Sequence, residues 1–124
     1  MVPRVKALIL KLLNEHRVMT IATNRPDGSP QATMVGYVND GFLLYCFVAR
    51  NAQKYANILR DPRVSISLGS DAPRPLDIKG LSLAGTSEVT DQWEFDHVSG
   101  LRCRRQPRCS TIRAFLDHRR ECGG

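Results

Sequence analysis

Apolar residues follow a helical period near the start of the chain and a strand period from residue 18 onward. Residues 5–13 keep their apolar side chains near helical spacing, with charged residues between them. This spacing predicts an amphipathic helix that packs on a core. A basic amphipathic helix can also lie on a membrane surface, but this one carries little charge and has no large aromatic anchor. We therefore predict no membrane association.

Three antiparallel strands are predicted next. Each run is apolar and rich in residues that favour strands. The runs cover residues 18–23, 31–38 and 42–48. Pro26-Asp27-Gly28 separates the first two runs and Asn39-Asp40-Gly41 separates the last two. Because both triplets are typical of tight turns, the pattern predicts a meander in which hairpins join neighbouring strands.

A second helix and two further strands complete the predicted fold. The helix covers residues 52–60 and ends before Pro62, and apolar residues then alternate with serines over residues 64–68. A longer strand is predicted over residues 76–90, with a bulge near Gly80 where its apolar phase slips. Five or more antiparallel strands with helices at their edges predict a mainly β fold, a small closed or partly open barrel with flanking helices.

The composition changes after Leu101. The net charge of the 124-residue chain is +6, and residues 102–124 carry most of it, together with three of the four cysteines. Helices are predicted from Asp91 and over residues 110–121. We therefore interpret residues 1–101 as the folded domain and residues 102–124 as an Arg/Cys-rich tail, helical in part. No last strand is recognised in the tail, and a frame-shifted or truncated coding sequence is one hypothesis for its composition.

Composition and charge narrow the function classes. Residues 1–101 are nearly neutral, so the basic tail alone does not predict nucleic-acid binding. No apolar run is long enough to cross a bilayer and no signal-peptide pattern is present, so we expect a cytoplasmic protein. The tail lacks the short Cys-x-x-Cys spacing of structural zinc, and we predict no metal site. Cys46, within a strand, is interpreted as a small core residue.

A candidate anion site lies at the start of the second helix. Asn51 is a residue type that often caps helices, and Arg50 and Lys54 place two cations beside the first turn. Unpaired backbone N–H groups and the helix dipole favour an anion at this position. The sequence therefore predicts a phosphate site, and the alternative is a pair of solvated surface charges.

Several of these segments resemble the pyridoxamine 5′-phosphate oxidase-like split-barrel flavoproteins. The resemblance covers about residues 5–101 and rests on four motifs. These are Pro26-Asp27-Gly28-Ser29-Pro30, Gly41-Phe42-Leu43-Leu44-Tyr45, the helix with Lys54, and Asp61-Pro62-Arg63-Val64-Ser65. It implies a split β-barrel in residues 1–101 that forms homodimers. It also implies that FMN, or in some branches F420 or haem, binds in a groove at the dimer interface.

The resemblance also implies cofactor contacts. Lys54 corresponds to the basic residue that holds the flavin phosphate, and Gln53 stands where an Arg is frequent. The backbone of residues 33–35 corresponds to the segment along the isoalloxazine ring. The implied cofactor-binding residues are Thr33, Met34, Val35, Phe47, Val48, Arg50, Asn51, Gln53 and Lys54. Val48 and Ala52 lack hydroxyls that often bind the phosphate in relatives, and the Arg50 guanidinium can compensate by bidentate binding.

The function implied by the resemblance is an FMN-dependent oxidoreductase or flavin reductase with a small-molecule substrate and NAD(P)H as a candidate electron donor. The flavin supplies the chemistry in such enzymes, so no side chain is predicted to be catalytic. Specific pyridoxamine phosphate oxidation is a weaker expectation, because the substrate-binding Arg and His residues of those oxidases have no match here. The alternative is a non-catalytic protein that binds a flavin, F420 or haem.

Overall fold

The computed structural model describes residues 3–70, 73–74, 79–90 and 109–123. Within these ranges the chain forms two helices and seven strands. The helices are α1 (Pro3–Glu15) and α2 (Gln53–Arg60). The strands are β1 (Val18–Asn24), β2 (Pro30–Gly36), β3 (Val38–Asp40), β4 (Leu43–Ala49), β5 (Arg63–Ser70), β6 (Lys79–Thr90) and β7 (Cys109–Gly123). None of the described helices has the length and apolar character needed to span a bilayer.

The strands form one antiparallel sheet in the order β2-β1-β5-β6-β7-β4-β3. Strands β2 and β3 lie at its two ends, although Tyr37 alone separates them along the chain. The two ends must therefore come close together, and the sheet curls on itself. Tyr37 holds this junction, because its N–H donates to Arg17 O at 2.9 Å and its hydroxyl donates to Leu13 O at 2.7 Å. The predicted split β-barrel with flanking helices is confirmed.

The core fills the concave side of the curled sheet. Buried positions alternate with half-buried ones along β1 and with exposed ones along β5, as the strand period requires. Helix α1 contributes Ile9 and Leu13 to this core, which confirms the predicted amphipathic helix. The buried apolar residues of the strands include Met19, Ile21, Leu44, Cys46, Val48, Val64, Ile66, Leu68, Leu81, Leu83, Ile112, Ala114 and Leu116.

The two predicted tight turns are present, but the predicted meander is wrong in part. Gly28 and Gly41 adopt φ values of 86° and 61°, a backbone region that glycine enters without steric cost. The first turn joins β1 to β2 and the second joins β3 to β4. The predicted strand over residues 31–38 is broken at Tyr37, however. The chain crosses there to the other end of the sheet, so β2 pairs with β1 and not with β4.

The helix predicted over residues 110–121 is wrong, because these residues belong to β7. Strand β7 lies between β4 and β6, with Ala49 opposite Cys109 and Thr90 opposite Thr111. From Ile112 to Leu116 the buried side chains of Ile112, Ala114 and Leu116 alternate with the less buried Arg113 and Phe115, a period of two that suits a strand and not a helix. This part of the predicted tail therefore completes the barrel and supplies the last strand. The helix predicted from Asp91 and the predicted strand residues 76–78 lie outside the described residues.

The irregularity in β6 lies later than predicted. Gly80 pairs in register with Gly69, whereas the register with β7 shifts between Leu83 and Gly85. A Cβ atom on Gly85 would lie 2.3 Å from Phe115 O, so the β7 backbone approaches too closely for a side chain at this position. The irregularity lies at Gly85 and not at Gly80 because it depends on the close approach of β7, a strand that local patterns did not predict.

Candidate functional site

Helix α2 packs against β1, β6 and β4, and its polar side chains reach β2, which brings the predicted phosphate residue to the sheet. Ile58 is buried in the core, and Ala52 and Tyr55 pack against it. Lys54 is half-buried, and its Nζ donates to Thr33 Oγ1 on β2 at 3.3 Å. The structure therefore brings together Lys54 and Thr33, two of the predicted cofactor residues from separate elements.

The start of α2 differs by one residue from the prediction. The N-cap residue is Ala52, not Asn51, and no side chain caps the helix. The cause is a turn over residues 49–52, in which Ala52 N donates to Ala49 O at 3.0 Å and delays the first helical residue to Gln53. Asn51 is exposed and lies outside the cap position. The first N–H groups of α2 are consequently left without a side-chain acceptor, which favours an anion near them.

The Arg50 side chain bonds to β7, and among the described residues it makes no contact that places it beside Lys54. Its Nε donates to Ser110 Oγ at 2.9 Å, and Ser110 lies opposite Val48 in the β4–β7 register. Arg50 is exposed overall. The contact with Ser110 was not predicted, because residues 110–121 were expected to form a helix and not a strand beside β4.

A buried amide network next to Lys54 was also missed. Asn57 is 1% exposed, and its Nδ2 donates to Thr23 Oγ1 at 3.0 Å and to Gln31 Oε1 at 3.1 Å. Gln53 Nε2 donates in turn to Asn57 Oδ1 at 2.8 Å. The Gln53 amide is thus bonded to Asn57 within the helix. It carries no charge, so it cannot supply the positive charge that the resemblance implies for an Arg at this position. The sequence signal was the placement of Thr23 and Gln31 at inward strand positions, where apolar residues are the rule.

The remaining predicted residues divide by exposure. Met34 is 72% exposed, whereas Val35 and Val48 lie in the core and can offer a ligand only backbone groups. Phe47 is half-buried and points to the opposite face of β4 from Val48. Strand β2 is an end strand of the sheet, and no strand of the described ranges pairs with its outer edge. Its backbone can therefore meet a ligand, as the resemblance implies for residues 33–35.

Cys46 lies on the inner face of β4 near this site. Burial raises the pKa of its thiol to about 12, and the Lys54 ammonium opposes that rise only in part. The thiol is therefore protonated near neutral pH and lacks the thiolate character of a nucleophile. Its burial agrees with the predicted core residue.

A groove of about 610 Å³ lies on the outer face of the sheet, apart from Lys54 and Thr33. Its lining comprises Ala22, Asn24, Pro30, Arg63, Val64, Ser65, Ala84, Gly85, Thr86, Phe115 and Leu116. The charged lining residue is Arg63, which forms an ion pair with Asp61 at 2.8 Å. Hydrogen bonds from Arg63 hold the pKa of Asp61 well below its usual range. Because this pair is neutral as a whole, the Lys54 site is the better candidate for an anion.

A comparison with models of protein families shows to which family the chain belongs. The family model described as pyridoxamine 5′-phosphate oxidase matches residues 5–113. The chain belongs to this family. The match extends into β7, in agreement with the place of that strand in the barrel. A search of curated proteins gave no match for this family member.

Several solved structures have the same fold as this pyridoxamine 5′-phosphate oxidase family member. A haem-binding protein from Mycobacterium smegmatis is similar at a TM-score of 0.81 and 20% identity, with coverage of 100% of this chain and 59% of that chain. HutZ, the haem storage protein from Vibrio cholerae, has a TM-score of 0.73 at 16% identity, covering 90% of this chain and 89% of its own. An FAD-binding protein from Mesorhizobium loti has a TM-score of 0.73 at 20% identity, covering 90% of each chain. At these identities the likeness establishes the fold.

Proposed function

We propose that this protein binds FMN and acts as an oxidoreductase of the flavin reductase type, with NAD(P)H as donor and an unidentified small molecule as acceptor. The observation that carries the proposal is the contact between Lys54 Nζ and Thr33 Oγ1 beside the uncapped start of α2. An ammonium, a hydroxyl and free helical N–H groups together form a suitable donor set for a phosphate.

The donor set fits a phosphate with fewer ligands than the resemblance implied. Lys54 supplies the positive charge, and the Thr33 hydroxyl can rotate to donate to an oxygen atom. Ala52 offers no hydroxyl, and the Gln53 amide is already bonded to Asn57. We therefore expect binding in which Lys54 dominates the phosphate contribution.

The remainder of the cofactor would lie along β2. The outer edge of this end strand presents backbone donors and acceptors to the polar edge of a flavin ring, and the exposed Met34 side chain can cover an apolar part of the ring. When bound, the flavin supplies hydride transfer between donor and acceptor. The protein's own part is to hold the phosphate, orient the ring through the strand and exclude water from one side of it.

We also propose that the protein forms a homodimer. Two large apolar side chains are exposed on the sheet, Met34 on β2 at 72% and Phe115 on β7 at 39%. A second copy that covered them would remove apolar surface from water and enclose the cofactor.

A non-catalytic binding protein is the second candidate. It is favoured by the haem-binding and haem storage proteins that share the fold. The absorption spectrum of the purified protein separates the two candidates, because FMN and haem absorb differently. A flavin that bleaches on addition of NADPH supports the reductase, whereas a bound flavin that no nicotinamide reduces supports the binding protein.

Replacing Lys54 by Met tests the assigned phosphate contact. This change keeps the apolar stem of the half-buried side chain and removes its charge. Charge-assisted hydrogen bonds contribute about 1.5–3 kcal/mol, so FMN affinity should fall roughly 10- to 100-fold while riboflavin affinity stays nearly constant. Fluorescence titration of both ligands measures this.

The matched control is Lys11→Met, because Lys11 is an exposed lysine that pairs with Glu15 on α1. It should leave both affinities unchanged. Equal losses for FMN and riboflavin in Lys54→Met would refute the phosphate assignment.

A further inference from the structure

We propose that Asn57 is a positioning residue that holds Lys54 at the phosphate site by fixing α2 against β1 and β2. The inference rests on the proposed function of Lys54 and adds a residue that does not itself touch the cofactor. Asn57 lies one helical turn after Lys54, on the side of α2 that faces the sheet.

The bonding capacity of Asn57 is almost fully used. Both hydrogens of its amide nitrogen have acceptors, Thr23 Oγ1 on β1 and Gln31 Oε1 on β2. Its carbonyl oxygen accepts from Gln53 one turn earlier. A side-chain amide has two donors and two acceptor lone pairs, so Asn57 makes three of its four possible bonds while almost wholly buried. One side chain thereby joins the helix to two strands.

Directional bonds matter because the contacts that α2 makes with the core near Lys54 are apolar. Ile58 and Tyr55 pack against the core, and apolar contacts hold a helix to a surface without fixing its rotation or axial position closely. Hydrogen bonds of defined length and angle restrict both.

A second anchor acts at the opposite end of α2. Arg60 Nη2 donates to Asn24 O at 2.9 Å and to Arg25 O at 2.7 Å. Among these links between α2 and the sheet, the Asn57 bonds are therefore the nearest to Lys54 on its C-terminal side. The next link toward the helix start is the Lys54–Thr33 bond itself. Loss of the Asn57 links should let the first turn of α2 shift and carry the ammonium away from Thr33.

A purely structural role would lower stability but leave the phosphate preference unchanged. We define this preference as the dissociation constant of riboflavin divided by that of FMN, so that general damage to the pocket cancels. Asn57→Leu removes all three bonds with little change in size. Thr23→Val removes one bond, keeps the side-chain shape and is the milder variant if Asn57→Leu fails to fold. Ile66→Val, a buried change in β5, is the matched control for lost stability.

The proposal predicts that the phosphate preference falls about fivefold or more in Asn57→Leu and falls less in Thr23→Val, since a displaced ammonium loses much of a charge-assisted bond. Ile66→Val should keep the wild-type preference. A preference that stays at the wild-type value in the folded Asn57 and Thr23 variants, while Lys54→Met abolishes it, overturns the positioning role and leaves the proposed function standing. If Lys54→Met leaves the phosphate preference at the wild-type value, the proposed function itself is refuted.

A readout without cofactor completes the test. The ligand-free protein is treated with an amine-acetylating reagent, and the modification rates of individual lysines are followed by mass spectrometry. Lys54 should react about threefold or more faster in the Asn57 variant than in the wild type, because local opening exposes it. Lys11 is the internal control and should react at the wild-type rate. An unchanged Lys54 rate in both network variants would contradict the inference.

Discussion

Ile112 is fully buried in β7, and its replacement by Ala tests whether this segment is built into the core as a strand. The exposed fraction of Ile112 is 0%, and the residue lies opposite Cys46 of β4 and Val89 of β6. Phe115 is the matched control because it is larger but 39% exposed and lies on the opposite face of the strand. In a helix, residues 112 and 115 would share a face.

The expected loss follows from the atoms removed. Ile→Ala removes three buried carbons at about 0.8 kcal/mol each, and the cavity that remains adds to this, so we expect about 3–4 kcal/mol. Unfolding of a 124-residue domain has an entropy of about 0.26 kcal/mol/K, so the melting temperature should fall by roughly 12–15 °C. Ile112→Val should cost only about 0.5–1.5 kcal/mol.

The measurement is urea unfolding and thermal melting of the Ile112 and Phe115 variants at one protein concentration, since oligomerisation makes melting temperatures depend on concentration. Phe115→Ala should be the milder change despite its larger side chain. Equal losses for Ile112→Ala and Phe115→Ala, or a loss below about 1 kcal/mol for Ile112→Ala, would refute the placement of β7.

Two further predictions concern backbone approach and a buried hydroxyl. Gly85→Ala should destabilise the fold by about 1–3 kcal/mol in urea unfolding because its Cβ would meet Phe115 O, whereas Gly80→Ala should cost less, its nearest contact being 4.0 Å away; equal costs would contradict this. Tyr37→Phe should cost about 0.5–1.5 kcal/mol by loss of the bond to Leu13 O. Burial raises the pKa of Tyr37 from 10.0 to about 12. The stability it contributes is therefore complete below pH 10 and lost as pH rises to about 12. Unfolding free energies of wild type should fall more steeply than those of Tyr37→Phe across that interval, and parallel slopes would exclude this cause.

Local patterns predicted the elements whose identity is decided within a few neighbouring residues. Helix α1, the turn at Gly28 and the alternating strand β5 each follow from spacing or from backbone freedom. Strand β7 could not be predicted in this way, because its inward residues include Ser110 and Ala114 and its outward residues include Arg113. Its strand conformation is imposed by β4 and β6 on both sides, and such non-local pairing leaves only a weak trace in sequence.

The candidate site was predictable to a similar extent. The resemblance named Lys54 and Thr33 as candidate cofactor residues, and the fold brings these two side chains into contact. The start of α2 was placed one residue too early, since capping preference cannot detect the turn that precedes Ala52. The role of Asn57 could not be predicted, because its partners Thr23 and Gln31 become neighbours only when the helix packs on the sheet.

The position of β7 between β4 and β6 also has a consequence for the order of folding. Ala49 and Cys109 pair across about sixty residues of sequence, and such distant contacts form late and slow the folding of β proteins. Until β7 arrives, β4 and β6 each keep one edge unpaired, and the apolar β4 is open to pairing with other chains. Refolding should therefore be limited by β7 insertion, and its yield should decrease as protein concentration rises.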